Sequence, residues 1–226
     1  MSYCVNPHCE ARENPDDELV CVSCGTTLLV RDRYRPVQLL SPLGGPQESE
    51  VFEVEDTTGG VGIEVGTHLI MKVLLIEDRF KLPDSKRTEF LFREVKVLKA
   101  IDHIGIPKVQ KDGFFVVKDA GVDEELHCLV QEKIEGQTLN LWVEEHGPIS
   151  QELALAWLGQ LSDSLNELYK IGYFHRDIKP ENIIRRPDGT VVLIDFGAVR
   201  EVTATYLTRI GRPPDEGRYE QDLETT

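Results

Sequence analysis

His175-Arg176-Asp177-Ile178-Lys179-Pro180-Glu181-Asn182, followed thirteen residues after Asn182 by Asp195-Phe196-Gly197, decides the reading of this 226-residue chain. The first run sets an aspartate, a lysine and an amide on one loop. Between the two runs, Pro187-Asp188-Gly189 reads as a tight turn and Val191-Val192-Leu193-Ile194 as a buried-type strand. A reversal there returns Asp195 to the edge that Asn182 leaves. Two oxygen-bearing side chains at one edge suit a hard cation that bridges phosphate oxygens. Asp177 can accept the proton of a hydroxyl, and Lys179 can neutralise charge on a phosphoryl group in transfer. Such a set suits phosphoryl transfer, where the protein chiefly positions Mg²⁺-bound phosphates.

Upstream, the pattern is a mixed sheet followed by helices. Tyr34–Leu40, Val51–Glu55 and Thr67–Leu75 read as strands, the last two joined through Gly59-Gly60. Asp84–Ile101 reads as a helix, with Phe90, Leu91, Val95, Val97 and Leu98 near helical spacing. Strands follow around Phe114–Lys118 and Leu126–Ile134. The clearest helix runs from Ser150, an N-cap with Glu152 in the first turn, to Ile171, and Gly172 ends it. Leu153, Trp157, Leu161, Leu165 and Leu168 form a core stripe along it. Cys128, inside a strand, reads as a small buried hydrophobe, and His127 and His146 as surface residues.

Those motifs together resemble the eukaryotic-like serine/threonine protein kinases of bacteria. The resemblance implies an α+β fold: an N-lobe of antiparallel sheet plus one helix, and a helical C-lobe. It implies that Asp177 is the catalytic base, aided by Lys179, and that Asn182 and Asp195 bind Mg²⁺ or Mn²⁺. Arg176 then marks the subclass switched by activation-loop phosphorylation. Lys72, in His68-Leu69-Ile70-Met71-Lys72, fits the lysine that holds the ATP α- and β-phosphates, and Glu94 fits its helix partner. Taken alone, the lysine could be a snorkelling edge residue and the glutamate a solvated helix face. Leu129-Val130-Gln131-Glu132-Lys133-Ile134 resembles the hinge, with Gln131 as gatekeeper and the backbone of Glu132 and Ile134 reading adenine. Val51 and Gly44 belong to the phosphate-covering loop and its following strand. The expected substrates are Ser and Thr hydroxyls of proteins.

The chain departs from the family pattern in two places. In Leu43-Gly44-Gly45-Pro46-Gln47-Glu48-Ser49-Glu50-Val51 only the first of three expected glycines remains. Pro46 removes an N–H donor and Glu48 adds a carboxylate near phosphate. With Ile70 in place of a small alanine, reduced ATP affinity is expected. After Asp195, residues 198–205 read as an activation segment, with Thr203, Thr205 and Thr208 as candidates for modification. From Pro213 the sequence is acidic, poor in apolar residues and expected to be disordered, so a kinase domain over 34–212 reads as truncated with an incomplete C-lobe. Three readings stay open: an active kinase, an inactive nucleotide- or protein-binding module, and a gene remnant.

Residues 1–30 form a separate small module. Cys4, Cys9, Cys21 and Cys24 supply four soft ligands in two pairs, the set that closes a structural tetrahedral Zn²⁺ site, and so few large apolar residues would hardly fold without metal. A redox-sensitive unmetallated cluster is the alternative, and His8 is an alternative ligand. The module resembles the zinc-ribbon-like four-cysteine prefix of some bacterial Ser/Thr kinases, including Asn6-Pro7 and Asn14-Pro15, and could meet a protein partner. The net charge of -15, from 25 Lys+Arg and 40 Asp+Glu, leaves no electrostatic footprint for nucleic acid or an anionic membrane. No apolar run reaches the length of a membrane span, and the N-terminus lacks a signal-peptide pattern. The expected location is the cytoplasm.

Overall fold

The computed structural model describes residues 1–41, 49–60, 62–75, 84–117 and 125–203, with backbone only at 75 and 84–88. The glycine-poor loop with Gly44, and the segment after Thr203, lie outside the described residues. The N-terminal module has one short ribbon, β1 (Ser2–Tyr3) with β2 (Glu13–Asn14). Next come β3 (Tyr34–Ser41), β4 (Ser49–Asp56), β5 (Thr67–Leu75), α1 (Asp84–Ala100), β6 (Val109–Val117) and β7 (Leu126–Glu132). The five strands make one antiparallel sheet in the order β3-β4-β5-β7-β6. Beyond it lie β8 (Gln137–Thr138), α2 (Leu139–His146), α3 (Gln151–Lys170) and β9 (Tyr173–Phe174). A 3₁₀ turn at Pro180–Asn182, then β10 (Ile183–Arg185), β11 (Val191–Leu193) and β12 (Arg200–Glu201) complete the described chain.

The sheet follows from residue alternation. In β4, Phe52, Val54 and Asp56 face inward while Val51, Glu53 and Glu55 take the other face, the period of two that a pleated strand imposes. Asp56 is fully buried, and Arg33 meets it with Nη2 at 2.6 Å of Oδ2. Its carboxylate also accepts the backbone N–H of Gly59 at 2.9 Å, so one buried charge ties the β3 entry to the turn after β4. Pro36 lacks an N–H but sits on the edge strand β3, where no outer ladder needs it.

Beside a small cluster of Cys4, Cys9, Cys21 and Leu28, two larger cores divide the described residues. One joins Leu91, Val95 and Leu98 of α1 to Trp157 and Leu168 of α3 and to Val191, Leu193 and Phe196. The other joins Phe52, Val54, Met71 and Val73 of the sheet to Val5 and Val30 of the N-terminal module. The α3 stripe is core only in part: Trp157 and Leu168 are buried, whereas Leu153, Leu161 and Leu165 are half-buried. Ser164, fully buried on the same face, bonds Gly105 O at 3.4 Å and Gln160 O at 3.2 Å. The helix starts as read, with Ser150 Oγ accepting Leu153 N–H at 3.2 Å, and it ends where Gly172 takes φ +82°, a value a side chain resists.

Three expectations need correction. Helix α2 was not anticipated: Thr138 gives no side-chain cap, and Leu141 and Val143 are exposed, so neither a cap nor a clean apolar stripe marks it. Strand β6 begins at Val109 rather than near Phe114, because polar Gln110-Lys111-Asp112 hides a stretch with a register shift before Phe114. His127 is not a surface residue; it is buried on β7, edge-on to Phe92 at 6.5 Å. Cys128 is buried as read.

Leu168, fully buried, should lose about 2–5 kcal/mol of stability on change to Ala. Ser150→Ala should lose about 1 kcal/mol through the cap alone. Urea unfolding of the two variants checks the order of the effects.

Candidate active site

Lys72 stands on β5, the middle of five strands, paired with Val51 of β4 and Leu129 of β7. It is therefore not a snorkelling edge lysine. Its Nζ lies 2.9 Å from Glu94 Oε2, 3.2 Å from Glu94 Oε1 and 3.2 Å from Asp195 Oδ1. Glu94 is 3% exposed and comes from the inward face of α1, not a solvated one. A Cβ on Gly197 would stand 3.1 Å from Lys72 Nζ and 3.4 Å from Asp195 Oδ1, so a side chain there would press on the ion triad.

Burial alone would lower the Lys72 ammonium; the carboxylates of Glu94 and Asp195 overrule it and hold the proton on. Burial pushes the Glu94 carboxyl up, against the pull of Lys72. Burial would likewise raise Asp195, but the Lys72 charge and hydrogen bond and the Gly197 N–H bring it below the usual carboxylate range.

The second half of the site is built by the loop and hairpin. In β10 and β11 Ile183 pairs with Leu193, and Ile194 N–H donates to Asn182 O at 2.8 Å. The ladder thus extends to the two residues that carry Asn182 and, next in sequence, Asp195. The turn is closed by Gly189 N–H to Arg186 O at 3.0 Å, with Asp188 Oδ1 accepting Thr190 N–H at 2.9 Å. Asn182 Nδ2 donates to Asp177 Oδ2 at 2.8 Å and to Asp177 O at 2.9 Å, and Lys179 Nζ reaches Asp177 Oδ2 at 2.9 Å. Asp177, Lys179 and Asn182 therefore share one carboxylate oxygen. Asp177 and Lys179 are partly exposed, at 36% and 42% of their side chains.

His175 braces this loop from beneath. Burial lowers its pKa, so it is neutral at pH 7. Its Nε2 donates to Ile194 O at 3.1 Å, and its Nδ1 accepts Asp177 N–H at 3.3 Å, which fixes one tautomer. Arg176 and Asp195 take φ of +68° and +60°, a left-handed backbone that costs side-chain-bearing residues about 1–3 kcal/mol and concentrates at working sites.

A cleft of about 820 Å³ lies between the sheet and this loop. Val51, Lys72, Glu94, Glu132, Ile134, Lys179, Asn182 and Asp195 all line it. Gln131 also lines it, and its Oε1 is a buried acceptor without a partner among the described residues. Glu132 closes the far end: Arg186 Nη2 meets its Oε1 at 2.7 Å, tying the last strand of the sheet to the β10–β11 turn. Glu53, and its pairing with Lys133 of the hinge stretch, carry no motif in the sequence. Both residues line the cleft too, Lys133 Nζ lying 3.0 Å and His68 Nδ1 2.5 Å from Glu53 Oε1. The signal was present in the alternation of β4, which puts Glu53 on the face of Val51. A separate hollow of about 1030 Å³ lies off these groups and gathers Arg93, Arg176, Arg200 and Thr203.

In the N-terminal module, Cys4, Cys9, Cys21 and Cys24 bring their sulfurs within 4.8 Å of one another. The Cys4–Cys24 and Cys9–Cys21 sulfurs are each 3.6 Å apart. Zn–S bonds of about 2.3 Å set the edges of a tetrahedron near 3.8 Å, so the donor set fits zinc in number, softness and spacing. Burial raises the Cys4 thiol, while Thr26 brings Cys24 down to about 6 against its own burial. His8 is exposed and lies outside the cluster.

Residues 60–212 match the family described as the protein kinase domain. The chain is 30% identical over 210 residues to serine/threonine-protein kinase B of Synechocystis sp., covering 92% of this chain and 34% of that protein. It is 34% identical over 190 residues to serine/threonine-protein kinase F of the same organism, covering 81% of this chain and 37% of the relative. Serine/threonine-protein kinase PknL of Mycobacterium tuberculosis is 38% identical over 106 residues, 47% of this chain and 27% of that protein. The chain spans about a third of the length of the two Synechocystis relatives. Among the described residues no helix is long and apolar enough to cross a membrane.

The ion triad carries a pH signature. Asp195, with its carboxyl depressed, stabilises the fold fully above its ordinary pKa of about 3.9 and loses this as pH falls through the lowered value. Glu94, raised, has the opposite sign: its contribution is lost as pH rises. Lys72→Met strands both carboxylates and should lose about 3–5 kcal/mol at pH 8. The loss should shrink toward pH 5 as Glu94 takes up a proton. Urea unfolding at both pH values reads it, and an equal loss at both would refute a shared buried ion.

Proposed function

This chain belongs to the protein kinase family, and on that premise we propose that it transfers the γ-phosphate of ATP to Ser and Thr hydroxyls of protein substrates. The observation that carries the reading is the Lys72 ammonium, fixed on the central strand between Glu94 and Asp195. A rigid cation facing a cleft is what nucleotide phosphates need for orientation. In this reading Lys72 orients the α- and β-phosphates, Val51 covers the base, and the backbone of Glu132 and Ile134 reads adenine. Gly44 would belong to the phosphate-covering loop, outside the described residues. Asn182 and Asp195 would hold Mg²⁺ or Mn²⁺, which supplies charge neutralisation between the phosphates. Asp177 accepts the hydroxyl proton, and Lys179, on the same carboxylate oxygen, steadies it and meets the transferring group. Thr203 beside Arg93, Arg176 and Arg200 suits control by phosphorylation of this segment.

Residues 1–30 are proposed as a structural zinc module, 34–212 as the kinase domain and 213–226 as an acidic tail. Reduced thiols fit a cytoplasmic setting. The other reading, a module that binds nucleotide or protein without turnover, draws on the exposed Leu155 and Leu158 of α3.

With γ-labelled ATP and a general protein acceptor, Asp177→Asn should cut transfer by about 10²–10⁴-fold, and Asp195→Asn should abolish it. Cys128→Ala should leave it unchanged: that thiol is buried, pushed up to about 12. Binding of Mg-ADP with no transfer, autophosphorylation included, would favour the second reading. Metal analysis should find one zinc per chain, and Cys21→Ser should lose it.

A further inference from the structure

Beside the packing of Val5 and Val30 on the sheet, the four-cysteine module reaches β4 through Arg12, each of whose three side-chain nitrogens donates a hydrogen bond. Arg12 Nη1 lies 2.6 Å from Glu50 Oε1 and Arg12 Nη2 2.7 Å from Glu50 Oε2, a two-pronged pair. Its Nε donates to Cys4 O at 2.8 Å. Arg12 is therefore held at both ends, by the backbone of a cysteine ligand and by a carboxylate of β4. Its own backbone belongs to the cysteine cluster as well: Cys4 N–H donates to Arg12 O at 2.8 Å, and the Cys9 sulfur contacts Ala11 O at 3.2 Å. The guanidinium also lies over the Phe52 ring, 5.4 Å from its centroid.

Glu50 is an unusual place for a charge. It is 1% exposed, and the Arg12 side chain is 16% exposed. Its position in the strand matters more. Glu50 is the second residue of β4, the strand that emerges from residues 42–48. Val51, the next residue, lines the cleft and pairs with Lys72. A buried carboxylate stripped of its cation must find a proton, water or a new position. Here hydration or movement of the carboxylate would displace the start of β4, and Val51 with it.

We propose that Arg12 is a positioning residue for the nucleotide site, through which an occupied metal site in the cysteine module holds Glu50 and the start of β4 in register. The inference rests on the zinc and nucleotide readings above. Order at the sulfurs fixes the Cys4 carbonyl and the Ala11-Arg12 backbone. Those fix the guanidinium, and the guanidinium fixes Glu50. Metal and nucleotide occupancy are then linked, and linkage between two binding sites is reciprocal.

The test uses the full chain and two readouts that need no turnover. Calorimetry gives the Kd of Mg-ADP with zinc bound and after chelation, and a chromogenic chelator gives the rate of zinc loss with and without Mg-ADP. In the wild type, chelation should weaken Mg-ADP by about tenfold, within the usual range of coupling between sites, and Mg-ADP should slow zinc loss. Arg12→Met should keep one zinc per chain, bind Mg-ADP about as weakly as the chelated wild type, and no longer respond to zinc. Glu50→Gln, which leaves no buried charge behind, should fold and show the same uncoupling. Arg12→Lys, with one cation and no fork, should restore part of the response, which loss of packing alone would not predict. A wild type whose Mg-ADP affinity ignores zinc overturns this inference alone, as does Arg12→Met that keeps the zinc dependence. A chain that binds no Mg-ADP, or no zinc, overturns the underlying reading and this inference with it.

Discussion

One partly buried ammonium governs this molecule. Lys72 sits on the central strand with two carboxylates around it, Glu94 from α1 and Asp195 from the segment after β11. Each carboxylate alone would suffer from burial, and together they would repel. The shared cation is what permits both. Three elements far apart in sequence are thereby held to one point within about 3 Å. The triad also retains an uncompensated negative charge, one cation against two anions, at the inner wall of the cleft. A second positive charge is what such a wall attracts.

The rest of the fold keeps that point accessible from one side and rigid on the others. The β10–β11 ladder delivers Asn182 and Asp195 together, and His175 links the Asp177 backbone to Ile194. The Arg186–Glu132 pair spans from sheet to hairpin, and the Glu53–Lys133 pair lies in the cleft lining. These contacts are partly exposed and individually modest. The Arg12–Glu50 pair differs, because its carboxylate is wholly buried and its loss leaves a charge without water.

Much of this arrangement was legible in the sequence because it rests on short-range patterns. The strand Thr67–Leu75, the Ser150 cap and the Pro187–Gly189 turn all follow from local residue preference. The order of the charged motifs then pointed to Lys72 and Glu94 as partners; the structure pairs them and adds Asp195 to the same ammonium. What stayed hidden depends on tertiary context. The residues of α2 carry neither cap nor stripe, and Trp142 is seated by Arg185 and Trp157 from other elements. His127 looks polar in sequence but is enclosed by its neighbours on β7 and α1. The role of Glu50 could not be read without knowing that Arg12, thirty-eight positions earlier, ends beside it.

The β10–β11 hairpin has a consequence for how this chain can vary in length. The ladder alternates the direction of successive side chains, so a single residue added or lost within Ile183–Arg185 or Val191–Leu193 would turn Asp195 away from the Lys72 ammonium. The same change at the tip, between Arg186 and Thr190, leaves the ladder in phase. Insertions and deletions among homologous chains should therefore collect at the tip, and tags or reporter loops placed there should spare the edge that carries Asn182 and Asp195.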